Sequence, residues 1–467
     1  MEAIDMVMPV SATPPASHAT GLLTPDKRLL TIGLVLVVTM SAFEALAIAT
    51  AMPVVRDDLG GLRLYGLVFS GFTVANLVGA AYAGQQADRR EPALPFSIGL
   101  CLFGVGLVIG GLAQSMEMLV AARCVQGLGS GMIATLAYVG IGRGYDEHLR
   151  PRMFAVLSSA WVVPGLVGPA LAGAVADHIS WRLVFLGLLP LLPLAAVLTI
   201  PALRRLAPEN VAPADDRLMK SIQLAAGAAL ILAGSTADNP LIIAPLVAVG
   251  AIVAIFALRT LLPSGTFVAA RGLPAAVAVM GLACMSFFGA EAFLPLALNE
   301  VRHQSPTLAG LALTAATMTW TAGSWVQARR TQRWSRRTMV IAGFVFIAVG
   351  IAIAGTTASE ESPVVMAAVG WAIGGFGMGL AYTSVSLTIL SEAPPDQTGY
   401  ASASLQLSSV LGVAIGTGVS GAIVGAGDSG LWSTATSIGL LFALMAAFAA
   451  LAAGAATRLP GAKAATA

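Results

Sequence analysis

Runs of about twenty residues with almost no charge recur along this 467-residue chain. A helix rises 1.5 Å per residue, so crossing a hydrocarbon core of ~30 Å takes about 20 residues. Inside that core every backbone N–H and C=O must find its partner within the protein, which helices achieve alone. Only 10% of the chain is charged and 57% is hydrophobic, whereas soluble domains carry about a quarter charged residues. The ordinary soluble classes are thereby excluded. A polytopic helical membrane protein is expected.

A window of about 19 residues predicts helices near 29–53, 64–86, 93–113, 116–142, 153–176 and 182–203. Two shorter runs follow at 221–236 and 240–258, and then six more near 272–298, 307–327, 338–357, 363–391, 401–425 and 431–455. The expected fold is all-α: two pseudo-symmetric six-helix bundles, 29–203 and 272–455, with a two-helix insertion inside a cytoplasmic linker at 204–271. Tails at 1–28 and 456–467 flank them. That makes fourteen transmembrane helices. The run 221–236 is short, and a twelve-helix chain with a hydrophobic interfacial linker is the competing count.

Basic residues set the orientation, because cytoplasmic loops accumulate Lys and Arg. With the N-terminus inside, 20 of the 25 basic residues fall on the cytoplasmic side; Arg56, Arg63, Arg182 and Arg302 fall outside and Arg123 falls within a span. Both termini are therefore expected in the cytoplasm. The first 25 residues lack an apolar core and do not read as a cleavable signal. Cys101, Cys124 and Cys284 lie in separate apolar runs, which suggests neither a disulfide frame nor a metal site. No basic block interleaved with aromatics suggests nucleic-acid binding. The four histidines form no HExxH motif, and no GxxxxGK[ST] loop is present.

The two blocks read as repeats. "MSAFEA" (40–45) matches "MSFFGAEA" (285–292), "GLGSG" (127–131) matches "GFGMG" (375–379), and "SSAWVVPGLVG" (158–168) matches "SSVLGVAIGTG" (408–418). Trp181 and Trp432 open the sixth helix of each block. One nearly constant offset across four helices indicates a duplication. The glycine clusters lie in apolar helices, where small residues let helices approach closely.

Ionisable residues at membrane depth are rare and usually face a bundle interior or a wet cavity. Three stand out: Glu44, Arg123 and Glu291. Glu44 is flanked by uncharged residues 29–43 and 45–55. It lies ~14 Å from the outer end of its helix, and Arg123 ~10 Å from the outer start of its own, at 1.5 Å per residue. An ion pair between them is geometrically possible. Phe43, Tyr138, Trp161, Phe287, Phe288, Trp320 and Tyr382 lie in helices that can border a central cavity. Aromatic faces beside a carboxylate suit a lipophilic cation. Asn76 and Gln126 supply polar contacts to substrate or between helices.

In this order the motifs resemble the major facilitator superfamily, most closely its fourteen-helix drug/proton antiporter branch. Glu44 and Pro53 keep the first-helix spacing of an acid nine residues before a proline. Gly84, Asp88 and Arg89 resemble the gating loop, although Glu91, Pro92 and Ala93 replace its later glycine and basic pair. Arg123, Gln126 and Gly127 match the fourth-helix motif. Gly168, Pro169 and Gly173 match the fifth-helix antiporter signature, and "WRLVFLGLLP" (181–190) also fits. The resemblance implies that a bend at Gly168-Pro169 seals the bundle against proton leak, and that Asp88 with Arg89 and Arg90 forms a charge lock. "RRTQRWSRR" (329–337) is its expected counterpart.

Protonation and cation binding at Glu44 compete, because a carboxylate out of water is stabilised either by a proton or by a nearby cation. The expected function is thus proton-coupled export of lipophilic, cationic drugs or related compounds, with Glu44, Arg123 and Glu291 in proton coupling. Export of an endogenous lipid or metabolite and proton-coupled uptake are the alternatives. No enzymatic activity, cofactor or metal is expected. The expected partners are the lipid bilayer, a small-molecule substrate and protons, for a monomer in the plasma membrane.

Overall fold

A computed structural model describes residues 21–89, 91–146, 149–206, 217–236, 240–330, 333–392, 398–428 and 431–461. The described residues are helical throughout, without strands. The first block comprises α1 (Arg28–Leu59), α2 (Tyr65–Arg89), α3 (Ala93–Gly111), α4 (Met116–Gly144), α5 (Arg150–Ser159), α6 (Val162–Val175), α7 (Arg182–Leu186) and α8 (Leu191–Leu203). Then come α9 (Arg217–Thr236) and α10 (Pro240–Leu261). The second block comprises α11 (Leu273–Glu291), α12 (Leu294–Glu300), α13 (Pro306–Arg330), α14 (Arg336–Gly355), α15 (Val365–Glu392), α16 (Thr398–Asp428) and α17 (Thr434–Ala456).

Helix starts and stops follow local chemistry. Ser115, Ser335 and Ser433 cap α4, α14 and α17, each hydroxyl accepting from the backbone N–H three residues on, at 3.1 to 3.3 Å; this satisfies a donor the helix leaves unpaired. Gly60, at φ +70°, ends α1 in a conformation that a side chain rarely takes. Three expected helices are interrupted, each where a proline withholds an N–H from the carbonyl four residues earlier. Pro164 does so to Ala160, where α5 gives way to α6. Pro190 does so to Leu186, the end of α7. Pro295 does so to Glu291, the end of α11. The break in the fifth span therefore falls at Ala160–Trp161, and Gly168 and Pro169 sit inside the continuous α6. A π-helical turn, Ala176–Ser180, follows α6.

Twelve segments among the described residues are long and apolar enough to cross a membrane, so the chain is a multi-pass integral membrane protein. Of the fourteen expected spans, α9 falls short on the length of its apolar stretch and α13 on apolarity. Arg217 and Lys220 occupy the first turn of α9, where a 13-residue apolar stretch follows at Met219–Ile231. Helix α13 is rich in threonine; Thr317, Thr319 and Thr321 return their hydroxyls to carbonyls of their own helix, at 3.0 to 3.4 Å. Such back-bonding lets polar side chains sit in a helix without outside partners.

Both blocks use one packing plan. Helix α2 lies along α4 and α1 along α6, while α13 lies along α15 and α11 along α16. In the first pair Gly127 and Gly131 face the carbonyls of Phe72 and Asn76, leaving no room for a Cβ. In the second, Gly375 and Gly379 face those of Ala316 and Trp320 in the same way. The blocks meet along two seams, α2 with α16 and α6 with α13. Helix α9 packs on α10 and on α2, beside the first seam.

Candidate functional site

Glu44 of α1 and Arg123 of α4 are both buried, at 2% and 3% side-chain exposure, and form an ion pair. Two ions out of water cost several kcal/mol each unless good geometry and further hydrogen bonds offset the loss. Arg123 has those further bonds. Its Nη1 donates to Glu44 Oε1 and, at 2.7 Å, to Gln126 Oε1. Its Nε donates to the carbonyl of Val68 at 3.2 Å, and its guanidinium lies 4.1 Å from the centre of the Phe72 ring. Gln126 stands three residues after Arg123, on the same helix face; its Nε2 has no partner among the described residues. Glu44, Arg123 and Gln126 are thus brought together. Val68 and Phe72 complete the set, and no charge or motif in the sequence marks them. Asn76, one turn beyond Phe72, is half-buried, and its backbone carbonyl packs against Gly131.

Glu291 closes α11 because of Pro295, and its Oε2 is buried with no partner among the described residues. The next residue, Ala292, accepts from the hydroxyl of Tyr65 at 3.3 Å, and the Tyr65 ring lies 5.0 Å from Phe293. One turn back along α11 stands an aromatic cluster. Phe287 stacks on Trp371 at 5.0 Å and meets Phe288 and Trp320 edge-on at 5.5 and 5.7 Å. Trp320 continues to Tyr382 at 5.7 Å. Helices α11, α13 and α15 together build this wall. The sequence reading missed Trp371, which lies on the same helix as "GFGMG" and four residues before it.

The remaining aromatic candidates make no ring contact with this wall among the described residues, although Tyr138 lies within electrostatic reach of its Tyr382. Phe43 packs against Gly168. Tyr138, half-exposed, engages Gln406 of α16. Trp161, also half-exposed, sits at the break between α5 and α6 and makes no ring contact among the described residues.

At the face away from the N-terminus the two blocks are joined. Arg56, near the end of α1, makes a two-pronged ion pair with Glu300, the last residue of α12, at 2.5 and 2.6 Å. Gly66 of α2 lies against Gly421 of α16 so closely that a Cβ on either meets the other's Cα at 2.6 Å. On the second seam Gly173 faces the carbonyl of Pro306, and Gly310 faces that of Pro169. Pro169 and Gly173 therefore lie at a contact between the blocks. Pro53 is buried near the end of α1, Gly84 of α2 faces Thr135, and Gly127 serves the α2–α4 contact already described. The side chains of Asp88 and Arg89 lie outside the described residues, as does Arg90.

A model of the Major Facilitator Superfamily matches residues 34–290 and 276–466. The chain belongs to that superfamily. It is 27% identical over 436 residues to a probable multidrug-efflux transporter of Mycobacterium tuberculosis, covering 88% of this chain and 91% of the relative. It is 25% identical over 400 residues to the multidrug efflux pump SdrM of Staphylococcus aureus, covering 84% and 88%. Among solved structures it shares its fold with the POT family transporter PepTSo, with a TM-score of 0.65 and 15% identity over 91% of this chain and 97% of that one. This member of the superfamily thus combines a transporter fold with a buried ion pair in one block and, in the other, a buried carboxylate oxygen that has no partner among the described residues.

Proposed function

We propose that the protein exports lipophilic cations in exchange for protons, by alternating access. The observation that carries this reading is the contrast between two buried carboxylates. Glu44 is held by Arg123, and Glu291 stands one turn from an aromatic wall with an oxygen free. A lipophilic cation is attracted both by a carboxylate and by aromatic faces, and Glu291 with Phe288 and Trp320 supplies both. A proton on Glu44 releases Arg123 to Gln126, the Val68 carbonyl and Phe72, its other contacts. Helix α2 touches both places, through Val68 and Phe72 on one side and Tyr65 on the other. Three residues, or ~4.5 Å of helix rise, separate Val68 from Tyr65.

Exchange requires that proton and substrate favour different states. The present state has its far face closed by Arg56–Glu300, Gly66–Gly421 and Gly173–Pro306; these contacts separate in the opposite state. Relatives named as multidrug efflux transporters, matched over most of their length, support export of drug-like compounds.

The same proposal covers the architecture. The chain has fourteen spans, with α9 and α13 added to the twelve apolar ones, since α13 sits at a seam between the blocks and α9 lies along α10 and α2. The bundles run 29–203 and 272–455, both termini are cytoplasmic, and the monomer resides in the plasma membrane, with the proton as its only coupling species.

Reconstituted vesicles with an imposed pH gradient test the function, using a fluorescent lipophilic cation as probe. Movement of the probe against the proton flux supports exchange, and movement with it establishes uptake instead. Glu44→Gln is expected to abolish the response to the gradient while leaving the protein folded. Full antiport by that variant removes Glu44 from the mechanism. Reporter fusions at Asp238 decide the span count: a cytoplasmic signal rejects fourteen.

A further inference from the structure

Away from the ion pair and the aromatic wall, a cavity of about 360 Å³ opens in the second block on the face that bears the chain termini. Arg271, Gly272, Arg337, Glu392, Thr457, Arg458, Leu459 and Pro460 line it. These residues come from the ends of four spans. Arg271 lies just before α11, Arg337 is in the first turn of α14, Glu392 ends α15, and Arg458 lies just beyond α17. The cavity therefore sits where hydrocarbon meets headgroups.

Three arginines and one glutamate leave two net positive charges in this basin. Arg458 is occupied: its guanidinium donates to the carbonyls of Val268 and Ala269. Arg271 and Arg337 make no hydrogen bond or ion pair with any described residue. The Glu392 carboxylate lies over Gly272 rather than on either guanidinium, since a Cβ on that glycine would meet Glu392 Oε2 at 3.4 Å. Two unused guanidinium forks in one concave site match a phosphate group, which accepts such forks pairwise. The rim is apolar. The short turn that Arg458 holds carries Phe267 and Val268, 60% and 67% exposed. Apolar side chains beside a cationic basin at this depth suit acyl chains below a charged headgroup.

We propose that this basin binds the phosphate headgroup of an anionic phospholipid, held by Arg271 and Arg337, with Phe267 and Val268 against its acyl chains.

Full-length protein, stripped of lipid in a neutral detergent, tests this by native mass spectrometry and thermal unfolding against added phosphatidylglycerol or phosphatidylcholine. The intact chain is expected to retain phosphatidylglycerol in preference. A basic side chain near an anionic lipid contributes roughly five-fold in affinity, so Arg271→Gln with Arg337→Gln lowers phosphatidylglycerol binding roughly thirty-fold and leaves phosphatidylcholine unchanged. Arg271→Lys with Arg337→Lys keeps the charge and most of the binding. Equal unfolding temperatures of all three proteins without lipid show that the variants fold. Equal retention of phosphatidylglycerol by the Gln pair overturns the proposal. So does stabilisation of the intact chain by inorganic phosphate alone to the same extent as by phosphatidylglycerol.

Discussion

Glu44 and Glu291 occupy corresponding places in two repeats of one helical plan, yet their surroundings differ in kind. Glu44 meets a guanidinium that is itself held by a carbonyl, an amide and an aromatic face. Glu291 has an oxygen with no partner among the described residues and an aromatic wall one turn away. The backbone packing of the repeats, by contrast, is alike, with "GLGSG" and "GFGMG" seating their outer glycines against carbonyls of the second helix in each block. The two blocks thus share the packing of their helices and differ in their buried charges. One half holds a buried ion pair, while the other holds a carboxylate oxygen with no partner among the described residues.

The contrast breaks most visibly at the ion pair. Arg123→Ala or Glu44→Ala strands a buried charge, which costs about 3–5 kcal/mol in unfolding stability measured in detergent. The double substitution Glu44→Ala with Arg123→Ala is expected to lose far less than the two single losses together, because the residues act as a unit. A single-variant loss below about 1 kcal/mol, the range of exposed pairs, would place the pair in solvent.

Packing is expected to respond equally in the two halves. Gly127→Ala and Gly375→Ala each force a methyl against a backbone carbonyl and destabilise by about 1–3 kcal/mol, again read from unfolding. Unequal losses would show that the repeats diverged in packing as well as in charge.

The far-face latch is smaller. Arg56 and Glu300 are 22% and 19% exposed, and partly solvated pairs contribute about 0–1 kcal/mol. Arg56→Gln is expected to lengthen the mean separation of spin labels placed on Leu59 and His303, with little change in unfolding temperature. An unchanged distance distribution removes this pair from gating.

Smallest of all in stability is Glu291→Gln. With no ion pair to lose among the described residues, its unfolding temperature stays within experimental error of the parent, while binding of a lipophilic cation weakens. A stability loss as large as that of Glu44→Ala would mean that Glu291 is paired after all.

Much of the fold was legible along the chain, because a span is a local property. Length and apolarity within twenty residues suffice to declare it, and both glycine clusters announced close helix contacts. Prolines were equally legible and underused. Pro164, Pro190 and Pro295 mark the three interruptions, and the last leaves Glu291 at a helix end. The site was legible only in part. Glu44, Arg123 and Gln126 stand out as polar residues at depth, whereas Val68 contributes a carbonyl that any residue carries. Trp371 looks like any other membrane aromatic. Tyr138 and Trp161 look equally suited to a cavity wall, and of the two only Tyr138 comes within electrostatic reach of the one that forms, beside Tyr382.

Sequence alone determined that the chain crosses a membrane repeatedly, and it marked two blocks that share motifs at a nearly constant offset and three ionisable groups inside apolar runs. Tertiary structure decided which of those groups touch. Glu44 and Arg123 are 79 positions apart, and their meeting depends on how α1 and α4 are rotated about their axes. Side chains along a helix point in every direction, so a turn of one residue, about 100°, carries an acid from a guanidinium to a lipid. That rotation is set by close backbone contacts among several helices at once, and no single stretch of sequence contains it.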